Sequence, residues 1–357
     1  MRLVFVTQTL DAEQPALAQT LDLVGALARR FDELVVLCQS VGPHPALPAN
    51  VRVQVFGART RAGRGIRFAR TLARELRARP DALLAHMVPL YVVLAAPLAK
   101  PLRVPIALWY THWHAGRLLR LAERLATVVL SVDERSFPIA SRKVRGIGHA
   151  IDVDRFSPGA VSEAGGRVRL LALGRTARWK GYETMLAGLE RAVERGVDAE
   201  LEIRGPQLTG DERAHVEELR RTVAGSPELE ERVRIEPPLP RDDLPQLLRG
   251  VDALLSATQP RGGETLDKVV FEAAASGVPV LASNSALDVL LGELRLELRF
   301  RPGDAESLAQ VLVAFATAPA SLRAEIGVEL RRRVVASHSV DSWADAVARI
   351  VTAERRK

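Results

Sequence analysis

Residues 168–204, VRLLALGRTARWKGYETMLAGLERAVERGVDAELEIR, contain a complete repeat of strand, helix and strand. The segments Val168–Leu173 and Glu200–Arg204 predict two strands, and the stretch between them has helical periodicity. The same alternation continues with further predicted strands at Val233–Glu236, Ala253–Ser256 and Val278–Ala282. Strands that alternate with helices are typical of a parallel sheet that carries helices on its faces.

The first half of the chain has the same organisation. Helical periodicity is present in Leu17–Arg30 and Ile66–Arg77. The predicted strands around them are Arg2–Gln8, Glu33–Cys38, Val51–Phe56, Ala82–His86, Ile106–Tyr110 and Val128–Val132. We therefore predict an α/β protein with two Rossmann-like domains, each a doubly wound parallel sheet.

A polar segment separates the two series of strands. His149–Gly159 is rich in turn-forming residues and is followed by the polar run Ser162–Gly166, so we predict domains at residues 1–155 and 156–339. The last predicted helix, about Ser342–Arg356, follows the completed second series. It could pack on either domain, and segment 340–357 is a candidate to complete the first. Because open parallel sheets bind ligands at the carboxyl ends of their strands, a cleft between the domains is the expected site.

Composition narrows the class of protein. A chain of 357 residues with 47% apolar and 26% charged residues is globular. The single cysteine, Cys38, excludes a disulfide framework and a site of several thiolates. The longest apolar stretch, Met87–Ala99, is shorter than the roughly 20 residues of a membrane-spanning helix. No secretory signal is apparent, so we expect a cytoplasmic protein, with a peripheral position on the inner face of the membrane as an option.

The net charge favours anionic partners. Lys and Arg total 50 against 43 for Asp and Glu, which gives +7. Nucleotides, phospholipid surfaces and nucleic acid all suit such a balance, and charge alone does not choose among them.

Two common nucleotide-binding motifs are missing from the expected places. The turn after the first strand, Thr7–Glu13, contains no glycine, whereas a dinucleotide-binding fold needs G-x-G-x-x-G there. The turn after Leu173 is neither that fingerprint nor a P-loop. Nicotinamide chemistry and P-loop hydrolysis are therefore disfavoured.

The segment Gly262–Val280 contains a carboxylate in an apolar setting. We predict that Thr265 is the N-cap of a helix that ends at Gly277, which places Glu272 within it. A lone carboxylate among apolar residues is costly unless it is paired. A ribose diol could pair with Glu272 through two O–H donors, and a salt bridge to a nearby arginine is the structural alternative.

Together these segments resemble the retaining glycosyltransferases of family 4, which have the B-type fold of two Rossmann-like domains. The resemblance covers nearly the whole chain. It is carried by Glu264-x7-Glu272, Gly174-Arg175…Lys180-Gly181, Ile151–Phe156, Arg301–Asp304 and His338-Ser339. The family commonly has a glycine-rich turn after its first strand and Gly-Phe-Gly after the first glutamate. This chain has Leu10–Glu13 and Thr265–Asp267 in those places.

The resemblance implies a nucleotide-diphosphate sugar as co-substrate, no other cofactor, and a donor site in the second domain. Glu272 would bind the ribose hydroxyls, Glu264 the donor sugar, and Arg175 and Lys180 the diphosphate. Backbone N–H groups around Thr265, Leu266, Asp267 and Lys268 would assist. The implied mechanism is a front-face displacement in which the departing phosphate oxygen takes the proton of the acceptor.

No metal site is predicted. Asp152-Val153-Asp154 imitates the D-x-D motif of another glycosyltransferase fold, but it occupies the linker turn of the resembling family. No clustered ligands occur elsewhere in the sequence.

The segment Trp109–His114 is the candidate for the sugar side of the site. Aromatic faces and imidazoles suit sugar stacking and hydroxyl hydrogen bonds. Because similar histidines line the donor-sugar pocket of the resembling family, the resemblance implies His112, and next His114, as the sugar-binding residues. The alternative is the buried end of a core strand. Asp11 and Glu13, after the first strand, are candidates for acceptor hydroxyls, and an N-capping or solvated role is an equal alternative.

The predicted helix around Ile66–Arg77 carries a stripe of arginines. At about 100° per residue, Arg64, Arg67, Arg70, Arg74 and Arg77 fall within an arc of about 140°, and we place Ile66, Phe68, Leu72 and Leu76 on the opposite side. The stripe is either a solvated helix face or a surface for anionic lipid.

The sequence thus predicts a glycosyltransferase that acts on a glycan or lipid-linked acceptor, such as a precursor of cell-envelope polysaccharide. A sugar-nucleotide epimerase or phosphorylase of similar architecture, and a non-catalytic protein that binds lipid or nucleic acid, are the alternatives. We expect no nucleic-acid partner.

Overall fold

The computed structural model describes residues 1–14, 17, 19–159, 166–259 and 266–356. The chain divides into two compact units. The first comprises Met1–Ala150 together with Ser337–Lys357, and the second comprises Ile151–Ala336.

The first unit is built on a parallel sheet of seven strands in the order β5-β3-β1-β6-β7-β8-β9, with a short parallel pair of β2 and β4 beside it. The strands are β1 Arg2–Val6, β2 Thr9–Leu10, β3 Glu33–Cys38, β4 Ser40–Val41, β5 Val51–Val55, β6 Ala82–His86, β7 Ile106–Trp109, β8 Val128–Ser131 and β9 Val144–Gly146. The helices are α1 Gln19–Ala28, α2 Arg61–Leu76, α3 Pro89–Ala99 and α4 Arg117–Leu125. In the centre of the sheet, Leu3 lies opposite Leu34 on one side and Ala82 on the other.

The second unit is built on a parallel sheet of five strands in the order β12-β11-β10-β13-β14. The strands are β10 Val168–Leu173, β11 Ala199–Arg204, β12 Val233–Glu236, β13 Ala253–Ser256 and β14 Val280–Ala282. The helices are α5 Tyr182–Glu194, α6 Gly210–Ala224, α7 Pro227–Glu230, α8 Leu244–Arg249, α9 Lys268–Ala275, α10 Asp288–Leu291, α11 Ala305–Thr317 and α12 Ala320–His338. These sheets confirm the predicted fold class of two parallel α/β domains.

The last helix, α13 (Val340–Arg355), belongs to the first unit. Trp343 is fully buried, and its ring meets that of Trp109 edge-on with 5.6 Å between centroids. Arg30, in the turn after α1, donates hydrogen bonds to Asp341 and Asp345 of α13. Aromatic packing and charge thus attach the end of the chain to the first sheet.

Helix α2 starts earlier than the periodicity predicts, and one of its apolar residues is misassigned. The hydroxyl of Thr60 accepts a hydrogen bond from the N–H of Gly63 and so caps a helix that begins at Arg61. Phe68, Leu72 and Leu76 are buried as expected, but Ile66 is 53% exposed. Ile66 lies about 120° around the helix from Leu72, the middle of the buried face, so placing it with that face was wrong.

The predicted cap of α9 is also wrong. The helix begins at Lys268, and Asp267, not Thr265, takes the N-cap position. Thr265 and Glu264 lie outside the described residues.

In the part of the chain that the structure describes, no single helix has the length and apolar composition to cross a membrane. Helices α11 and α12 meet these criteria only when they are taken together, and they meet at a bend of 111°.

Candidate functional site

The centre of the candidate donor site is Lys180, which lies just beyond the carboxyl end of β10. Lys180 is 7% exposed. Gly174, the first residue after the strand, has φ 137°, and a Cβ atom there would lie 3.2 Å from Cε of Lys180. The positive φ favours glycine at this position, and a side chain there would also crowd the lysine stem.

Lys180 is held by a buried ion pair and an aromatic ring. Its Nζ lies 2.7 Å from Oδ2 of Asp267, and the same oxygen accepts a hydrogen bond of 2.7 Å from the hydroxyl of Thr258. The Nζ also lies 4.6 Å from the centroid of the Trp179 ring. Because Thr258 follows β13 and Asp267 precedes α9, the pair joins the ends of the two central strands to a helix N-terminus.

Tyr182 stabilises the turn at Gly174 through a hydrogen bond. Its hydroxyl donates a 3.0 Å hydrogen bond to the carbonyl oxygen of Gly174. Burial, together with the negative charge of Asp267, raises the pKa of Tyr182 above its ordinary value. The phenol thus stays protonated and fixes the turn that carries Arg175.

Arg175 extends along the same edge and is anchored by Glu212. The guanidinium contacts the Glu212 carboxylate, which is 4% exposed, whereas the arginine side chain is 45% exposed. Glu212 also accepts hydrogen bonds from the N–H groups of Leu208 and Thr209, which completes the capping box of α6. Burial alone would raise the pKa of Glu212, but these donors and Arg175 together lower it.

Glu272 is buried within α9, as predicted, at 6% exposure. Its Oε1 lies 3.1 Å from Nζ of Lys268, one helical turn earlier. The salt bridge considered as the alternative to a ribose contact therefore exists, but with a lysine and not an arginine. Leu266, immediately before the N-cap, packs partly buried against the core of the second unit.

The arrangement is a cluster of cations, each facing a carboxylate, at the carboxyl edge of the sheet. Arg175, Lys180 and Lys268 supply the positive charge, and the N-terminus of α9 adds its dipole. Such an edge can bind the phosphates of a nucleotide and stabilise negative charge that grows on a leaving group.

The aromatic-histidine segment lies at the carboxyl end of β7 in the first unit. Trp109 and Tyr110 are buried, but His112 and His114 are exposed and Trp113 is 45% exposed. His112 stacks on Trp113 with 5.6 Å between ring centroids, and its Nδ1 accepts a 3.2 Å hydrogen bond from the N–H of His114. Partial burial and the neighbouring His114 lower the pKa of His112. The core alternative therefore fits Trp109 and Tyr110 and not the histidines.

Asp11, a candidate for acceptor hydroxyls, and Asp152, in the D-x-D segment for which no metal is predicted, each form a local turn. Oδ1 of Asp11 accepts a 2.9 Å hydrogen bond from the N–H of Glu13, and Glu13 is exposed. Oδ1 of Asp152 accepts from the N–H groups of Asp154 and Arg155 at 3.2 and 3.1 Å. Among the described residues, no group of three or more His, Cys, Asp or Glu side chains is arranged to hold a metal ion.

The sequence analysis missed a buried polar pair in the first unit. Thr7 follows β1 and His86 ends the adjacent strand β6, and Oγ1 of Thr7 lies 3.0 Å from Nδ1 of His86. Burial lowers the pKa of His86 to about 4. The available signal was a polar residue at the end of each of two strongly apolar strands.

Comparison with known proteins connects this geometry to a chemistry. Residues 167–318, which hold Arg175, Lys180 and Glu272, match the family described as Glycosyl transferases group 1. The protein is a glycosyltransferase. The comparison with curated proteins gave no match for it.

Solved structures share the fold of this glycosyltransferase over the whole chain. HepE from Anabaena, crystallised with UDP and glucose, is 18% identical with a TM-score of 0.72 over 99% of this chain and 100% of its own. A glycosyltransferase from Rickettsia africae is 13% identical with a TM-score of 0.76 over 99% and 98%. Sucrose-phosphate synthase from Thermosynechococcus elongatus is 16% identical with a TM-score of 0.70 over 98% of each chain. At these identities the likeness establishes the two-domain B-type fold.

Proposed function

We propose that this glycosyltransferase moves a sugar from a nucleotide-diphosphate sugar to an acceptor hydroxyl, with retention of configuration and without a bound metal ion. The observation that carries the proposal is the buried Lys180 at the carboxyl edge of the second sheet, with Arg175 beside it. The structure of HepE, which has this fold, in complex with UDP-glucose supports the donor class.

The cations and the helix N-terminus act on the leaving group. Arg175, Lys180 and the backbone N–H of Lys268 face the diphosphate, where negative charge grows as the glycosidic bond breaks. Glu272 binds the ribose hydroxyls, so Lys268 must release its carboxylate or share it with them. Glu264 contacts the donor sugar, and the backbone N–H groups around Thr265 and Leu266 assist in binding the diphosphate.

The displacement itself needs no general base on the protein. The bond from the anomeric carbon to the phosphate oxygen breaks, and the bond to the acceptor oxygen forms on the same face. The acceptor proton passes to the departing phosphate oxygen, which balances the step. The contribution of the protein is then positioning and electrostatic stabilisation. The reaction should survive EDTA, and loss of activity with rescue by Mn²⁺ would contradict this mechanism.

The first unit supplies the groups for the sugar and the acceptor. We assign His112, and next His114, to the sugar, since both imidazoles are exposed at the end of a strand beside Trp113. Asp11 is the candidate for an acceptor hydroxyl.

We also propose that the acceptor lies at an anionic membrane surface, as a lipid-linked or glycan precursor of the cell envelope, and that the enzyme acts from the cytoplasm. Four arginines of the stripe are exposed: Arg67, Arg70, Arg74 and Arg77. Arg64 is half-buried and donates to Gln39. The acid within the stripe, Glu75, is buried and pairs with Arg2 and Arg52, so it does not neutralise the surface. Each basic residue contributes about 1 kcal/mol at an anionic bilayer.

Sedimentation with liposomes tests this surface. The protein should pellet with anionic but not zwitterionic vesicles and be released as salt shortens the Debye length. Changing Arg67, Arg70 and Arg74 to Gln should abolish pelleting and leave nucleotide binding unchanged. If the wild type ignores anionic vesicles at low salt, the acceptor is not reached through this surface.

A thermal-shift panel of UDP, GDP, ADP and dTDP tests the donor class, because a ligand that binds the folded state raises its apparent stability. One of the four should raise the melting temperature, and the matching nucleotide sugar should yield a glycoside. Donor consumption without a glycoside would favour an epimerase or phosphorylase. Lipid binding without any nucleotide effect would favour a non-catalytic protein.

A further inference from the structure

Asp267 is placed differently from an ordinary helix cap. It occupies the N-cap of α9, where an Asp side chain normally accepts a hydrogen bond from an N–H of the first turn. No such bond is formed by its side chain, which turns instead to the Nζ of Lys180 and the hydroxyl of Thr258. The carboxylate is 15% exposed and the lysine side chain 9%, so the pair is largely withdrawn from water.

The Asp267 carboxylate is paired with Lys180, the cation that the proposed function assigns to the diphosphate. Lys180 has little freedom to serve both partners, because its stem passes close to Gly174 and its Nζ lies over the ring of Trp179. A phosphate oxygen that reaches Nζ must displace the carboxylate of Asp267 or lie beside it. Like charges at such a distance in a poorly hydrated site repel strongly.

The repulsion differs between donor and product. In a nucleotide sugar the two phosphates carry one negative charge each. In the free nucleoside diphosphate the terminal phosphate carries a second charge at neutral pH, since the second pKa of a phosphate monoester is about 6. A fixed carboxylate near the diphosphate therefore disfavours the product more than the donor.

We propose that Asp267 is a specificity-determining residue that competes with the diphosphate for Lys180 and thereby favours the nucleotide sugar over the free nucleoside diphosphate. The enzyme then releases its nucleotide product readily after transfer. This inference rests on the proposed function, because it takes Lys180 as the phosphate-binding cation.

Asp267→Asn is the direct test, since it removes the charge and keeps the size and the hydrogen bond from Thr258. We expect binding of the nucleoside diphosphate with the largest effect in the panel to tighten about tenfold at pH 7.5, measured by calorimetry. Binding of its nucleotide sugar should tighten by about threefold or less. Product inhibition of the transferase should increase in parallel. Asp267→Ser provides the same test if the Asn variant folds poorly.

Two controls isolate the cause. Asp198→Asn changes the net charge equally but removes a carboxylate that pairs with Arg167 at 3.0 Å at the opposite, amino end of the strands. It should alter neither affinity. In the Lys180→Ala background, Asp267→Asn should change the donor-to-product ratio less than in the wild type, because the contested cation is gone.

The outcomes separate this inference from the function on which it rests. If the wild type binds the nucleoside diphosphate and Asp267→Asn leaves the donor-to-product ratio unchanged, or weakens product binding, Asp267 is not a competitor and the proposed function stands. If neither the wild type nor the variant binds any nucleotide or nucleotide sugar, the proposed function fails and the inference fails with it.

Discussion

Replacing Lys180 by alanine should affect stability and catalysis separately. The change leaves Asp267 buried without its charged partner, and breaking one side of a buried ion pair costs about 3–5 kcal/mol. Since Asp267 keeps the hydrogen bond from Thr258, we expect the lower end, about 3 kcal/mol. For a unit of this size, that loss lowers the melting temperature by about 6–12 °C.

The double variant Lys180→Ala/Asp267→Asn distinguishes the two effects. Removing the orphaned charge should restore most of the lost stability, whereas transfer should stay about 10²-fold below the wild type because the leaving group still lacks its cation. Urea unfolding of each variant measures the first effect, and glycoside formation from the nucleotide sugar measures the second.

An exposed ion pair serves as a control for the stability change in Lys180→Ala. Arg195 and Glu306 lie 2.6 Å apart but each side chain is 40% exposed, so Arg195→Ala should destabilise the protein much less than Lys180→Ala. The reasoning is refuted if Lys180→Ala is no less stable than Arg195→Ala, or if the double variant is as unstable as the single one. Recovery of transfer in the double variant would show that Lys180 does not act on the leaving group.

Three further predictions concern the site and the pH dependence. Arg175→Ala should lower turnover about 10²-fold, whereas Glu272→Ala should mainly weaken nucleotide binding, as separated by kcat and by calorimetry. His112→Ala should reduce transfer and leave nucleoside diphosphate binding and the melting temperature nearly unchanged; equal loss of all three would favour a core role. Burial lowers the pKa of His86, and of His338 despite the opposing charge of Asp133, to about 4, below the ordinary 6.5. Because the unfolded chain then binds protons that the folded chain does not, the free energy of unfolding should be intact above pH 6.5 and fall between 6.5 and 4, by up to about 3 kcal/mol per histidine. Urea unfolding against pH should show a smaller fall in His86→Gln.

The inner strands of the first sheet could be predicted because they are buried on both faces. In β3 and β6, predicted to the residue, every residue except Glu33 is buried, so the apolar run and the strand coincide. The ends of a strand were predicted less accurately where buried apolar residues extend beyond the hydrogen-bonded part of the strand. Val278 precedes β14 and is buried, although it lies outside the strand. Apolar patterning marks burial, and hydrogen bonding decides where a strand stops.

The partners of the site residues could not be predicted, because they come from distant parts of the chain. Nothing local to Lys180 indicates Asp267, and nothing local to Arg175 indicates Glu212, since the sheet brings these elements together. The contact that was close in sequence, Lys268 with Glu272, was missed for another reason. The i,i+4 spacing of the two charges on one helix indicates this pair, whereas the predicted salt bridge of Glu272 was with an arginine.

The net charge of +7 reflects surface arginines more than the residues of the candidate donor site. Each of the three cations at the carboxyl edge of the second sheet faces a carboxylate, so the described part of the donor site is nearly balanced. The arginines of α2 are different. Arg64 donates to the amide oxygen of Gln39 and Arg67 to the carbonyl oxygen of Gly57, and neither group carries a charge. A balanced donor site can release an anionic product, whereas an unbalanced helix face keeps its attraction for an anionic surface. On the two proposals these features perform different tasks, so substitutions in one should leave the other unchanged.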